Sequence, residues 1–341
     1  MTQDRQLLQA ALNSTVVTLE PRRYVIDAPV ELPPTTAMVR GQGVGVSEIV
    51  LDAPGEAVLV GRNRTQRPLS INNLTLSTTY AIDTGLKLHA PHLFAASRGH
   101  SAEAIIENVE VRPAQGYEWT AYARRGIHMI NLAGPKIDKF WIAGRFNDLY
   151  AHSWNIGGMQ VGIDAENCQE AKITNGYIHG AATGVKTNVT SAGGGEGIEV
   201  SGNAIINCLD PVSIQGVAAG TYGGFNTPWS VVSRNHLFYL RYAVRQAYRS
   251  DVLIHGNSFC CSENRPTSPD WLPFGIYLEF CTTARISDNN WWNPSASHAP
   301  AGVGIMAYHC FKVAGWGNTI DPTLKEWMRV QNSSFVQVGV V

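Results

Sequence analysis

Two carboxylates in the stretch Gly162-Ile163-Asp164-Ala165-Glu166 stand two residues apart. On a β-strand, side chains at i and i+2 share a face with their Cα atoms ~6.5–7 Å apart. Carboxyls held this way can reach the separations that glycoside hydrolysis uses, about 5–5.5 Å for retention or 6.5–9.5 Å for inversion. Neighbouring acids also perturb one another, which favours one acting as acid and the other as base. Asp164 and Glu166 are therefore the leading candidate catalytic pair, and Lys186 is expected to sit beside Asp164 and hold it ionised. A lyase would instead need a base and a cation facing a uronate; Lys186, Arg245 and Tyr277 supply those residue types. Glu199 and Glu279 are further outward acids, with Glu279 too far along the chain's stacking direction to meet Glu166. The plainer alternative for each is a solvated face residue or an ion pair between subunits. Other chemistry lacks support: Gly41-Gln42-Gly43-Val44-Gly45 precedes no helical run, no nucleophile elbow or P-loop occurs, and the ten His show no metal-ligand spacing. No metal and no cofactor is expected.

These residues are positioned by a repeat. A unit of small residue, apolar, x, apolar recurs, as in Gly85-Leu86-Lys87-Leu88, Gly126-Ile127-His128-Met129, Gly162-Ile163-Asp164-Ala165, Gly184-Val185-Lys186-Thr187 and Gly275-Ile276-Tyr277-Leu278. If the apolar positions point inward, the x positions point outward, and coils stacked ~4.8 Å apart align them into columns. One column reads Lys87, His128, Asp164, Lys186, Ser213, Arg245, Tyr277, Met306; its neighbour reads His89, Ile130, Glu166, Asn188, Gln215, Ala247, Glu279, Tyr308. His128, Lys186, Arg245, Tyr277 and Glu279 are thus expected to contact substrate.

A second unit, apolar-x-x-Asn-x-apolar, places Asn203, Asn235, Asn257 and Asn289 at intervals of 32, 22 and 32 residues, with Asn318 a degraded copy. Asn73, Asn108 and Asn175 form a related set in which Lys139 takes the Asn place. Asn at a tight corner accepts left-handed geometry and can bond to its own copy above and below. Between the units lie dissimilar loops over 113–124, 144–158, 190–197, 217–228, 262–273 and 293–301. They carry aromatics, among them Trp119 and Trp154, which are expected to bind sugar rings or else to pack the loops down.

At the N-terminus an amphipathic helix over Asp4–Leu12 precedes short strands at Val16-Val17, Tyr24-Val25-Ile26, Val30-Glu31-Leu32 and Met38-Val39, each cut by Pro or Gly. Such strands suit a chain that turns every few residues and stacks on itself, with the helix covering the first edge. The order of helix, Val-Val-Thr-Leu, Tyr24 strand, Pro29-Val30-Glu31-Leu32-Pro33 and Val39-Arg40-Gly41-Gln42-Gly43 resembles the start of pectate-lyase-type right-handed parallel β-helices, in particular the phage tailspike and polysaccharide-depolymerase branch. Pro21-Arg22-Arg23 stands where that family has a Gly before the Tyr strand. The resemblance implies an all-β, single-stranded right-handed parallel β-helix with a short capping helix, a homotrimer, and a place on a virion among other particle proteins.

With 341 residues and no linker, three regions of one unit are expected: cap and first coil over 1–49, solenoid over 50–322, and a closing or oligomerisation segment over 323–341. In the last, Leu324–Met328 reads as one helical turn, and Ser334–Val341 as a strand without a partner in the repeat. The net charge of −1 argues against a nucleic-acid partner, and no run is long and apolar enough for a membrane. The N-terminus has no signal-peptide pattern and the six Cys have no C-x-x-C pair, so synthesis in a host cytoplasm with reduced core thiols is expected. The function expected is binding, and cleavage, of a bacterial surface polysaccharide by a glycoside hydrolase, or less well a lyase. The alternatives are a non-enzymatic phage spike or capsid decoration protein, or a carbohydrate-active enzyme outside any virus.

Overall fold

The computed structural model describes the chain except residues 63–67, 92–102, 145–157, 191–194, 218–225, 262–271, 293–301, 321, 323, 325, 335 and 341. The helix runs from Gln3 to Ala11 and is capped by the Thr2 hydroxyl, which accepts from the Arg5 N–H at 3.3 Å. Leu8 and Leu12 are buried, whereas Leu7 is exposed. Asp4 accepts from the Val25 N–H at 2.9 Å and pairs with Arg22, so the helix satisfies the outer edge of the first coil as it covers it. The four N-terminal strands lie at Val16–Thr18, Arg23–Ile26, Val30–Leu32 and Met38–Arg40, as the sequence predicts.

From there the chain winds as a parallel β-helix. A representative coil has strands Lys172–Thr174, Tyr177–His179 and Thr183–Asn188, and each pairs in parallel with its copy one coil on, at Ile198–Ser201, Ala204–Cys208 and Asp210–Gln215. Three ladders result. The third is an 11-stranded sheet from Val30–Leu32 to Glu326–Gln331. Ile137, Ile173, Val200, Val232, Ile254 and Ile286 stack along the inside of the first ladder, and Leu86, Ile127, Ile163, Val185, Val212, Val244, Ile276 and Ile305 along the inside of the third. A Cβ at Gly162 would stand 2.7 Å from Ile178 Cγ2, so the small residue opening each third-ladder strand is what lets opposite walls meet.

From Leu69 on, the corner between first and second ladders keeps one length; in the first two coils it is longer, over 19–22 and 41–47. In two coils the strand runs straight through it, as Leu69–Thr78 and Ala104–Pro113. In these two coils and in every later one, a single residue in the left-handed region turns the chain. Asn73, Asn108, Asn175 and Lys139 do so in the early coils, as expected. In later coils the turning residue is the one before the ladder Asn: Gly202, Arg234, Gly256, Asp288 and Gly317. Two jobs assigned to one Asn are therefore split. Asn203, Asn235, Asn257, Asn289 and Asn318 point inward instead and are buried. Each donates from Nδ2 to the next Oδ1 (3.0 Å for Asn203 to Asn235 and Asn235 to Asn257, 2.9 Å for Asn257 to Asn289, 3.1 Å for Asn289 to Asn318). The same Oδ1 accepts the backbone N–H of the preceding Asn, and Nδ2 also reaches a carbonyl one coil back. Asn318 is a full member, not a degraded copy.

The C-terminal segment differs from expectation. Glu326–Gln331 is not a helical turn but a strand on the third ladder, paired with Val303–Tyr308. Val336–Val340 has a partner after all, in Lys312–Asn318 on the first ladder. Trp327 packs edge-on against Trp291 with ring centres 5.0 Å apart, so core stacking continues to the last coil. Among the described residues no helix is long and apolar enough to cross a membrane. All six cysteines are buried and none is in a disulfide, and burial pushes Cys168 and Cys208 up to about 12.

Two measurements test this account. Asn257→Ala should cost about 3 kcal/mol, because it orphans the Val232 carbonyl and both Asn235 donors together; a thermal midpoint equal to that of the unaltered protein would remove the ladder's role. A thiol reagent at neutral pH should label none of the six cysteines until the chain is unfolded.

Candidate active site

Apart from 41–47, the long connections reach the third ladder. Those over 114–121, 144–160, 262–273 and 293–302 enter its strands, and those over 62–68, 90–103, 189–197 and 216–226 leave them. The roots of the last two are tied by Arg249, a fully buried cation whose guanidinium donates to the carbonyls of Gly195 (2.6 Å), Pro228 (3.0 Å) and Trp229 (2.7 Å). Trp229 itself is held at φ 50°, costly for a bulky side chain. The outer face of this sheet is thus the face where the chain varies its loops.

The two predicted columns exist. Lys87, His128, Asp164, Lys186 and Ser213 are consecutive register partners, as are Arg245, Tyr277 and Met306; beside them Ile130 pairs with Glu166 and Ala247 with Glu279. The columns are not evenly exposed. Asp164 is 5% and His128 6% exposed, against the outward, open placement expected for both. The cause is a third column that sequence reasoning missed, one residue before each small-apolar pair: Arg125, Val161, Thr183, Asp210, Tyr242 and Phe274. That position was readable as the outward residue one step further back along each repeat.

Arg125 covers Asp164. Its Nε donates to Asp164 Oδ2 at 3.2 Å and its Nη1 to Asp83 Oδ1 at 2.9 Å. The partner expected for Asp164 was Lys186, which lies alongside in register but makes no ion pair among the described residues. His128 fills the space between the acids. Its Nε2 is 3.5 Å from Glu166 Oε2, long for a hydrogen bond, and neither ring nitrogen has a hydrogen-bond partner. Burial pushes the His128 imidazole below its ordinary range, outweighing the pull of Asp164 and Glu166, so the ring is uncharged at neutral pH. Glu166 is the open member, its side chain 34% exposed. Towards the N-terminal end, Lys87 (2.6 Å) and Arg62 hold the Glu56 carboxyl below the usual range.

Towards the other end, Arg245 and Glu279 are not free for substrate as expected; they pair with each other at 3.1 Å. Arg245 also lies 6.0 Å from the Tyr277 ring centre. Trp119 is 51% exposed in the loop before Tyr122–Ile130, and Trp154 lies outside the described residues. The structure therefore brings Asp164, Glu166 and His128 together around an unexpected Arg125, and sets Arg245, Tyr277 and Glu279 apart from them.

Solved structures share this architecture. The A-module of mannuronan C-5 epimerase AlgE6 from Azotobacter vinelandii aligns at TM-score 0.57 and 14% identity, over 100% of this chain and 95% of that one. The fold is the pectate-lyase-like, right-handed parallel β-helix. The catalytic domain of a GH87 alpha-1,3-glucanase aligns at TM-score 0.55 and 11% identity over 98% of this chain, and the enzymatically active domain of tailspike protein 2 from bacteriophage CBA120 at 0.54 and 11% over 91%. This chain spans 63% of the glucanase domain and 44% of the tailspike domain. No family model and no curated protein matches the sequence.

The buried imidazoles give a pH test. Burial lowers His128, His89, His179 and His236 alike. With unfolded values near about 6.5, the unfolded chain takes up protons first as pH falls. Stability is then full above that value and declines below it. His128→Asn should flatten part of the fall in thermal midpoint between about pH 7.5 and 5.5; an unchanged slope would mean that the folded protein protonates His128 freely.

Proposed function

We propose that this β-helix cleaves a bacterial surface polysaccharide by glycosidic hydrolysis at Asp164 and Glu166. The observation that carries the reading is their meeting with His128 and Arg125 on the one face bordered by every long connection from residue 62 on. Their surroundings differ, as acid–base work requires. Glu166 is open to solvent beside a neutral imidazole and is the group that meets the leaving-group oxygen, donating its proton there. Asp164 is ion-paired to Arg125 and acts as the second carboxylate, on the attacking side. Lyase chemistry is less well supported, because of the two cations named for it Arg245 is bound to Glu279, which leaves only Lys186 without an ion pair to a described residue.

The resemblance to tailspikes extends the proposal to a homotrimer on a phage particle, in contact with other virion proteins and made in the host cytoplasm. Three of the solved folds bear on the substrate class: their names specify an epimerase of mannuronan, an alpha-1,3-glucanase and an enzymatically active tailspike domain. One observation favours a second reading. Asp164 is almost buried and its charge is already matched, as in a non-enzymatic spike whose face holds itself together.

Incubation with a panel of bacterial capsule and O-antigen preparations decides between them. New reducing ends are expected without absorbance from new double bonds, and Asp164→Asn and Glu166→Gln should each lower the rate at least about a hundredfold. Double-bond absorbance would move the chemistry to elimination. No product from any preparation, with a folded protein, would support the spike.

A further inference from the structure

The far half of the same face is built differently from the acid cluster. Tyr242, Phe274 and Tyr277 project outward from neighbouring strands whose inward residues are Val244 and Ile276. Their ring centres lie 5.0 Å (Tyr242 to Tyr277), 5.8 Å (Tyr242 to Phe274) and 5.6 Å (Phe274 to Tyr277) apart, and all three rings are half-buried. Outward aromatics on a sheet are costly to leave wet unless something covers them. Between this group and Asp164 the face carries Lys186, Asn188, Ser213 and Gln215, with Thr183 and the self-paired Asp210 and Arg241 beside them. Four strand steps separate Asp164 from Tyr277 along the column, roughly 19 Å at ~4.8 Å each, which is the reach of several linked rings and not of one.

The charges on this face cancel locally. Lys87 is held by Glu56, Arg125 by Asp83 and Asp164, Arg241 by Asp210, Arg245 by Glu279 and Arg329 by Glu326. Two cations on the strands of this sheet, Lys186 and the exposed Arg124, make no ion pair with a described residue. A polyanion would gain no concentrated positive field here and would meet the half-open carboxylates of Glu166 and Glu279. An uncharged glycan meets what its chemistry uses, amides and hydroxyls for its hydroxyl groups and ring faces for its C–H faces.

We propose that the substrate is an uncharged polysaccharide segment lying along the solenoid axis, its reacting bond over Glu166 and a more distant sugar ring packed on Tyr242, Phe274 and Tyr277. The proposal rests on the hydrolytic reading above and adds the substrate's charge class, its direction and the residues of a remote subsite.

The test uses the full chain carrying Glu166→Gln, titrated calorimetrically with oligosaccharides of matched length from neutral O-antigens and from acidic capsules. A neutral glycan should bind, with affinity changing less than about twofold across a tenfold range of salt. Tyr242→Ala and Phe274→Ala should each weaken that binding about tenfold, while Tyr242→Phe keeps it and shows that the ring, not the fold, was lost. In the active protein the same two alanine substitutions should raise KM for long chains with kcat unchanged. Preferential binding of acidic glycans, salt-sensitive and lost in Lys186→Met, would overturn the proposal. So would neutral binding that ignores Tyr242 and Phe274, or no binding of either class. If Glu166→Gln stays active, hydrolysis at Glu166 fails, yet the titration still reports on the aromatic subsite by itself.

Discussion

From the third coil on, everything on the surface of this molecule depends on a corner that admits no extra residue. Between the first and second ladders the chain turns on a single residue in the left-handed region, coil after coil. Because that turn has constant length, each coil re-enters the second ladder in the register of the last. Side chains separated by twenty or thirty residues of sequence then stand one strand spacing apart. The inward Asn ladder reinforces the constraint, since a slipped coil would break the bonds that each Asn makes to its copy and to a carbonyl one coil back. With the register held there, the rest of each coil is free to vary, and all of the variation is spent at the third ladder.

That division explains the character of the candidate site. Insertions border one face, and the face itself is a plane of outward positions with almost no backbone variation. Chemistry is made by changing side chains within three columns. At one end the columns bring carboxylates, an arginine and a buried neutral imidazole together; at the other they bring aromatic rings and a matched ion pair. Arg249, buried beneath two loop roots, shows how such a plane is kept while its borders change: one cation bonds three carbonyls from both roots.

Much of this was legible in the sequence because repetition supplies many readings of the same geometry. The columns through Asp164 and Glu166, the N-terminal strands and the Asn intervals follow from periodicity alone. What was not legible came from terms that periodicity does not carry. Outward direction does not fix exposure, so Asp164 and His128 were expected in the open and lie covered by Arg125. Register does not choose ion partners, so Lys186 stands beside Asp164 while the longer, forked Arg125 takes it. Nor did the Asn pattern reveal that turning and ladder bonding belong to successive residues, because Asn is suited to both. The C-terminal strand was read as a strand, but its partner was missed, for a different reason. Gly315 and Gly317 interrupt the apolar wording in Lys312–Asn318, and only the pairing shows the ladders continuing.

One consequence of the parallel ladders concerns length. Positions along the outer face are separated by whole numbers of strand spacings and by nothing in between. A chain of this design cannot drift towards a slightly longer or shorter substrate by small adjustments of its floor. It can do so only by gaining or losing an entire turn, and each coil contacts little beyond its two neighbours, so such a change is tolerable. Duplicating one coil between Asp164 and Arg245 would lengthen the floor by a fixed step while leaving both ends chemically intact. The solenoid is in that sense a ruler with discrete marks, and its ticks are set by backbone hydrogen bonds, not by the side chains that read them.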